Sequence, residues 1–177
     1  MILKVFRERD VAEIVCLGDV VGYNANPSER LDRIREGLGG FLVMGTYGYT
    51  SSTEEDPETP GFRRGVPLTP DHAASLNVIW EDEDRGRIGL EVYYTGHQDL
   101  EDNPYRRRGR SYVLFGLLGE KRFGPVRAFV NLENMGHVRQ TSYDPLVRPS
   151  RAPDGRWTVD AWAPLEGFVA NAGLRVS

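Results

Sequence analysis

The chain has 177 residues and a formal net charge of -4, with a sequence pI near 5.5 and a mean hydropathy of -0.45. A surface that binds nucleic acid needs a concentrated basic face, so this balance argues against nucleic acid as a partner. The longest apolar stretches, such as Tyr112 to Gly119, are far shorter than the ~20 residues of a transmembrane helix. Any membrane contact would therefore be made by β-strands.

The sequence predicts neither an intramolecular disulfide nor a secretory signal. Cys16 is the single cysteine, so no intramolecular disulfide can form. The N-terminus becomes charged at Lys4 and Arg7 before the apolar region of a secretory signal develops. We therefore expect no signal peptide in the residues as written.

Residues 1–40 read as an α/β segment in the order helix, strand, helix. Residues 13–22 form an apolar, β-branched run that ends in a Gly-Asp turn, a pattern typical of a buried parallel strand. A capped helix is predicted to follow it. Asn26 can act as the N-cap, Pro27 suits the first helical position, and Gly39-Gly40 ends the helical pattern.

From Phe41 onward the apolar period changes from helical to two, and this change places a boundary between residues 1–40 and 41–177. Six segments alternate as strands do, near residues 41–50, 76–81, 87–94, 111–120, 126–133 and 168–176. Their lengths approach the ~9 to 11 residues with which a tilted strand crosses a bilayer. The residues predicted to face the membrane are Leu76, Val78, Trp80, Ile88, Leu90, Val92, Tyr94, Val126, Ala128, Val130, Leu132, Phe168, Leu174 and Val176.

The connections between these segments alternate in length. Long segments at residues 51–72, 96–109 and 136–164 are separated by short turns at residues 81–85 and 121–123. Outer-membrane barrels have short periplasmic turns and long extracellular loops in this order. The pattern predicts a last strand that runs toward the periplasm.

Aromatic residues cluster near the predicted strand ends, where amphipathic rings prefer the depth of lipid headgroups. A soluble sandwich also carries aromatic residues in its strands, so this signal fits both classes of protein. The residues concerned are Tyr47, Tyr49, Trp80, Tyr93, Tyr94, Tyr112 and Phe123.

Several short segments of the sequence resemble the C-terminal part of the TonB-dependent receptor barrel. They are residues 66–72 (VPLTPDH), 93–96 (YYTG), 131–135 (NLENM) and 164–167 (PLEG), and the resemblance covers about residues 41–177. In that family a last strand ends in an aromatic residue that signals barrel assembly. Here the alternation through Leu174 and Val176 leads to a position 178, one beyond Ser177.

The resemblance implies a mainly β fold, an antiparallel meander of about six strands from an incomplete transmembrane β-barrel. It also implies an outer-membrane location, contact with outer-membrane lipid, and association with the plug and remaining strands of a full-length receptor. Such receptors have about twenty-two strands and engage the energy-transducing TonB complex. Six strands are fewer than the ~8 of the smallest closed membrane barrel, so we expect this fragment not to transport anything alone.

Residues 14–23 with Asn26 to Glu29 resemble the Gly-Asp motif of calcineurin-like metallophosphoesterases, over about residues 5–37. In that family the aspartate at the position of Asp19 bridges two metal ions that activate water. No Asp-x-His segment precedes the strand and no Gly-Asn-His-Asp segment follows it. A two-metal centre needs several ligands, so Asp19 is interpreted as a turn residue, and the junction at residue 40 suggests a chimera.

Other chemistry-bearing residues receive mainly structural interpretations. His72, His97 and His137 fall in or beside predicted loops, and the acidic runs at residues 54–56 and 81–84 lack the spacing of a calcium loop. The arginine cluster at residues 106–110 is interpreted as a solvated loop, with anionic lipid headgroups as the alternative. We therefore predict no catalytic, cofactor-binding or metal-binding residues.

Three hypotheses remain at this point. The first is a C-terminal barrel fragment of an outer-membrane receptor, which is not an enzyme. The second is a metallophosphoesterase remnant that depends on Asp19. The third is a small soluble β-module that binds a ligand, for which apolar residues buried between two packed faces would be expected.

Overall fold

One antiparallel sheet organises the residues that the computed structural model describes, 41–57 and 59–176. The predicted α/β segment of residues 1–40, including Asp19, lies outside these residues. The elements in chain order are β1 (Phe41–Tyr49), β2 (Thr53–Glu55), β3 (Arg63–Gly65), β4 (His72–Asp82), β5 (Gly86–Thr95), β6 (Gln98–Asp99), β7 (Arg108–Gly109), β8 (Tyr112–Phe123), β9 (Val126–Glu133), a 3-10 helix (Gln140–Ser142) and β10 (Val169–Val176).

The main sheet has six strands in the order β1-β4-β5-β8-β9-β10, and each pair of neighbours is antiparallel. The prediction of a mainly β chain with an antiparallel meander of six strands is therefore confirmed. The sheet is open within the described residues, because β1 and β10 form its two edges. Two small sheets, β2-β3 and β6-β7, lie in the connections and were not predicted.

The connections alternate in length along the main sheet. Residues 50–71 (loop 1), 96–111 (loop 2) and 134–168 (loop 3) leave one end of the sheet, and the turns at residues 83–85 and 124–125 close the other. We call these the loop end and the turn end. In the first turn the Asp82 carboxylate accepts hydrogen bonds from the backbone N–H groups of Asp84 and Arg85, both at 3.0 Å.

Several predicted boundaries were wrong. Glu81 and Asp82, predicted to lie in a turn, are the last residues of β4. The segment at residues 121–123 belongs to β8, and the turn that follows uses Gly124, whose φ of +61° suits the first position of a type II′ hairpin. His72 begins β4 instead of ending a loop. Phe168 precedes β10, because its backbone N–H donates to the His137 Nδ1 atom at 3.0 Å instead of to a strand.

The few deeply buried apolar side chains lie mostly in a loop. Among the described residues the buried hydrophobic side chains are Leu42, Ala152, Trp162 and Ala163, and the last three belong to loop 3. A sheet that packs face to face with another layer in water would bury large aliphatic residues on its strands. The six long strands therefore do not form the interior of a sealed sandwich within the described residues.

One exception to the alternation has a local cause. Phe129 points to the same side as the polar residues of β9, and a Cβ atom on its directly paired neighbour Gly173 would lie 2.8 Å from the Phe129 ring. The ring therefore covers the glycine backbone across the strand pair, a known device for protecting glycine in sheets.

We expect Gly173→Ala to lower the free energy of unfolding by ~1–3 kcal/mol, because the added methyl group displaces the ring. Gly48→Ala is the control, since nothing lies within 4 Å of the Cβ position there. Thermal unfolding of both variants in the same detergent measures the difference. Equal stabilities would show that the ring does not need the space above Gly173.

Candidate membrane-facing surface

The strand register places most large aliphatic and aromatic residues of the six long strands on one side of the sheet. The aliphatic residues and phenylalanine on the other side are Leu42, Met44, Ile79, Leu114, Leu118, Phe129 and Val169. Directly paired residues of antiparallel strands share a face, as do residues two apart in a strand. One row joins Trp80 to Ile88, Gly119 and Val130, and the next joins Val78 to Leu90, Leu117 and Leu132. We call this side the apolar face. Its large apolar residues are Phe41, Val43, Tyr47, Tyr49, Leu76, Val78, Trp80, Ile88, Leu90, Val92, Tyr94, Val113, Phe115, Leu117, Phe123, Val126, Val130, Leu132, Leu174 and Val176.

The apolar face is open. Leu90 on a central strand is 38% exposed, Val130 is 41% exposed and Leu174 on the edge strand is 74% exposed. A contiguous apolar surface across six strands is far larger than the patches of a few hundred Å² that monomeric soluble proteins display. An exposed apolar surface of this size is typical of a site that contacts a membrane or another protein.

All the residues predicted to face the membrane lie in strands on the apolar face except Phe168, which precedes β10. The face also contains residues that were not singled out. They come from β1 and β8, where glycines at positions 45, 48, 116 and 119 blur the alternation.

The aromatic residues of the apolar face lie toward its two ends. Tyr47, Tyr49 and Tyr94 lie near the loop end, whereas Trp80 and Phe123 lie near the turn end. This placement matches two aromatic belts at headgroup depth. Tyr93 and Tyr112 also lie near strand ends, as predicted, but on the opposite face of the sheet.

His72 completes the belt at the loop end. Its Nδ1 atom lies 2.8 Å from the Tyr47 hydroxyl, and its ring centroid is 5.1 Å from that of Tyr49. The imidazole is thus a partner of two tyrosines on the edge of the sheet. These contacts give the imidazole a structural role at the edge of the sheet.

The opposite side of the sheet, which we call the polar face, carries hydrogen-bonding and charged residues. The Thr46 and Ser75 hydroxyls lie 2.7 Å apart, and the Asn131 amide donates to Glu133 at 2.6 Å. A cavity of about 520 Å³ lies over this face. Its polar lining residues include Arg87, Glu91, Tyr93, Glu120, Asn131, Glu133, Asn171 and Arg175.

Glu120 is the centre of a charge cluster on the polar face. Its side chain is 4% exposed, and its carboxylate lies 2.8 Å from Arg127 and 3.9 Å from Arg87. A carboxylate with so little access to water requires charged partners. The cluster therefore fixes this side of β8 and β9 as the one that carries the paired charges.

The three loops form one layer at the loop end of the sheet. The Arg64 guanidinium of loop 1 donates to Glu101 of loop 2 at 2.6 Å, and the two carboxylates of Glu101 and Glu54 raise the pKa of Arg64. Backbone hydrogen bonds from Leu68 to Asp99 and from Asp71 to His97 continue this contact. Loops 1 and 2 are therefore joined by both charge and backbone.

The arginine cluster of residues 106–110 contacts other residues of the loop layer. Arg106 donates to the buried Asp144 at 2.6 Å and lies 5.2 Å over the Trp162 ring, while Arg108 donates to Asp71 at 2.8 Å. Arg110 lies 5.3 Å over the ring of Tyr143. Arg106, Arg108 and Arg110 thus have partners within the protein, which neither interpretation of the cluster included.

Loop 3 is held by residues that sequence reasoning missed. Gln140 is 0% exposed; its side chain donates to the Asp160 carbonyl at 3.0 Å and accepts from the Trp162 N–H at 2.8 Å. Gln98 of loop 2 donates to the Trp162 carbonyl. No periodicity marks such residues, because the pairing is set by the fold of the loops and not by a strand or helix repeat.

The remaining histidines also act in the loops. The His97 Nδ1 atom lies 2.9 Å from the Gly109 carbonyl oxygen, and His137 accepts from Phe168. Within residues 41–57 and 59–176, no three His, Cys, Asp or Glu side chains converge as metal ligands would. No helix among the described residues is long and apolar enough to span a membrane.

Comparison with known proteins gives a single short similarity to report. No family model matches the chain, and no solved structure matches it. Over 48 residues the chain is 42% identical to the uncharacterized protein MJ0912 of Methanocaldococcus jannaschii. The matched stretch is 27% of this chain and 19% of that protein. The match thus spans about a fifth of the relative's length.

Proposed function

We propose that residues 41–177 are the C-terminal strands of an outer-membrane β-barrel of the TonB-dependent receptor type. The observation that carries this proposal is the exposed apolar face, backed by a polar face on the same strands. In water such a face would cost ~25 cal/mol for each Å² left exposed, whereas in a bilayer it is the surface that contacts lipid.

The dimensions of the sheet support the same proposal. β5 has 10 residues and β4 has 11, and a strand rises ~3.3–3.4 Å per residue. Ten residues tilted by ~40° span about 25 Å, the height of the lipid-facing band of outer-membrane barrels. Long loops at one end and tight turns at the other fit the extracellular and periplasmic sides of such barrels.

The two open edges of the sheet need partner strands from a larger assembly. β1 and β10 have unpaired edges in the main sheet, and lipid does not tolerate unpaired backbone groups. We infer that these edges pair with further barrel strands, and that these six strands transport nothing alone. Full-length proteins of the resembled family import scarce nutrients such as metal chelates across the outer membrane.

The proposal is tested by partitioning the purified chain between a detergent phase and buffer. We expect the chain to enter the detergent phase and to be monodisperse only with detergent present, because the apolar face needs an apolar partner. A stable, monodisperse monomer in plain buffer would contradict the proposal. It would favour the soluble β-module instead, provided that the apolar face becomes protected from water.

A further inference from the structure

Gly119 opens a groove on the apolar face near the turn end. Gly119 is paired with Ile88 on one neighbouring strand and with Val130 on the other, and it has no side chain to fill the space between them. A cavity of about 540 Å³ lies there, with Ile88 and Val130 at its sides and Ala128 beside its floor. This volume falls within the ~300–1,000 Å³ typical of small-molecule sites.

Two cations line the same groove. Lys121 lies two residues after Gly119 on the same face of β8, between the small residues Gly86 and Ala128 of the neighbouring strands. Arg85 extends from the turn between β4 and β5. The groove therefore joins an apolar floor to an end that carries two cations.

Acidic residues lie beside the groove at positions 82–84, but none of them forms an ion pair with Lys121. Lys121 forms no ion pair with any residue of 41–57 or 59–176. Asp82 is engaged by the turn N–H groups and lies 3.6 Å from Arg85, whose side chain is still 74% exposed. Glu120 also lines the groove, but its carboxylate is paired with Arg127 on the polar face. Within the described part of the chain, Lys121 is thus a cation on an apolar surface without an anionic partner.

We propose that this groove binds an anionic phospholipid, with one acyl chain over Gly119 and the phosphate between Lys121 and Arg85. The inference rests on the proposed membrane location of the apolar face. A lysine on a lipid-facing strand is favourable only where its ammonium reaches the headgroup layer, and Trp80 beside the groove belongs to the aromatic belt at that depth. Charge complementarity selects an anionic headgroup over a zwitterionic one.

Trp80 lines the groove and reports on its occupant. Lipids with brominated acyl chains quench tryptophan fluorescence on contact, so the chain in detergent is titrated with brominated phosphatidylglycerol and, separately, brominated phosphatidylcholine. We expect half-maximal quenching at a several-fold lower concentration of the anionic lipid. Trp80→Phe should remove the quenched component, since Trp157 and Trp162 belong to loop 3 at the other end of the sheet.

Three variants separate the parts of the site. Lys121→Gln should abolish the preference for the anionic lipid, and Gly119→Leu should weaken quenching by both lipids because it fills the groove. Arg175→Gln is the matched control. It removes one positive charge in the residue row next to Lys121, but on the polar face, and should keep the preference.

The outcomes distinguish this inference from the proposed function. Equal quenching by both lipids in the unaltered chain, or an unchanged preference in Lys121→Gln, would overturn the lipid site while leaving the barrel proposal intact. A chain that never enters the detergent phase would overturn both. A preference lost equally in Arg175→Gln would show attraction to net charge and not to a site.

Discussion

Leu90→Arg is expected to reduce partitioning into bilayers by roughly 30- to 1,000-fold. Leu90 lies on the central strand β5, between Val78 and Leu117 on the apolar face, and is 38% exposed. A charged residue near the middle of the lipid-facing band of a barrel costs ~2–4 kcal/mol, which converts to this range at ~1.4 kcal/mol per factor of ten. Vesicle flotation at graded lipid concentrations measures the change.

Asn131→Arg is the matched control for Leu90→Arg. Asn131 pairs with Leu118 and Asn171 on the polar face, at nearly the same depth as Leu90. Both substitutions add one positive charge. In Asn131→Arg the new guanidinium lies near Glu133, which Asn131 already contacts at 2.6 Å, so we expect partitioning to change less than threefold.

The pair of variants also tests which face meets lipid. If Asn131→Arg were the disruptive substitution and Leu90→Arg the neutral one, the two faces would be assigned the wrong way round. Equal effects would show that neither face enters hydrocarbon. A soluble module would instead respond to Leu90→Arg by gaining solubility without any change in lipid binding.

The sheet could be predicted because its pattern is local. Alternation such as Ile88, Leu90 and Val92 against Arg87 and Glu91 specifies a strand and its two faces without knowledge of any partner. The register then follows, since a shift by one residue would exchange the two faces of a strand. Short turns at Asp82 and Gly124 fix that register from the turn end.

The loop layer could not be predicted for the opposite reason. Arg106 and Asp144 are 38 residues apart in the chain, and no repeat of two or 3.6 residues connects them. Gln140 contacts Asp160 and Trp162 through side chain and backbone groups, and such pairing is specific to one loop conformation. Sequence patterns alone therefore predict a solvated arginine cluster, although Asp71, Tyr143 and Asp144 are the partners of its arginines.

The β8 boundary shows how composition can mislead within a strand. The charged residues Lys121 and Arg122 predict a turn at residues 121–123, but β8 continues through them to Phe123. Glu120 and Arg122 lie on the polar face, and Lys121 lies on the apolar face beside Gly119. Lys121 thus interrupts the apolar pattern of its face, and it is the residue on which the proposed lipid site depends.

Arg106→Ala is expected to open loop 3 and to accelerate amide hydrogen exchange there by two to three and a half orders of magnitude. The substitution leaves Asp144, whose side chain is 6% exposed, as a buried carboxylate without its cation. It also removes the guanidinium from the Trp162 ring. Breaking a buried pair from one side costs ~3–5 kcal/mol. The amides of Trp162 and Ala163, which donate to Gln140, are the probes.

Arg156→Ala provides the contrast, because Arg156 pairs with Asp154 and Asp160 at the protein surface. Exposed pairs contribute little to stability because water and salt screen them, so exchange at Trp162 should change by less than about tenfold. The strand amides of β5 and β8 should keep their protection in both variants, since their ladder does not pass through loop 3. If Arg106→Ala exposed those strand amides as well, the loops and the sheet would unfold as one unit. If it changed no amide, the buried pair would not hold the loop layer together.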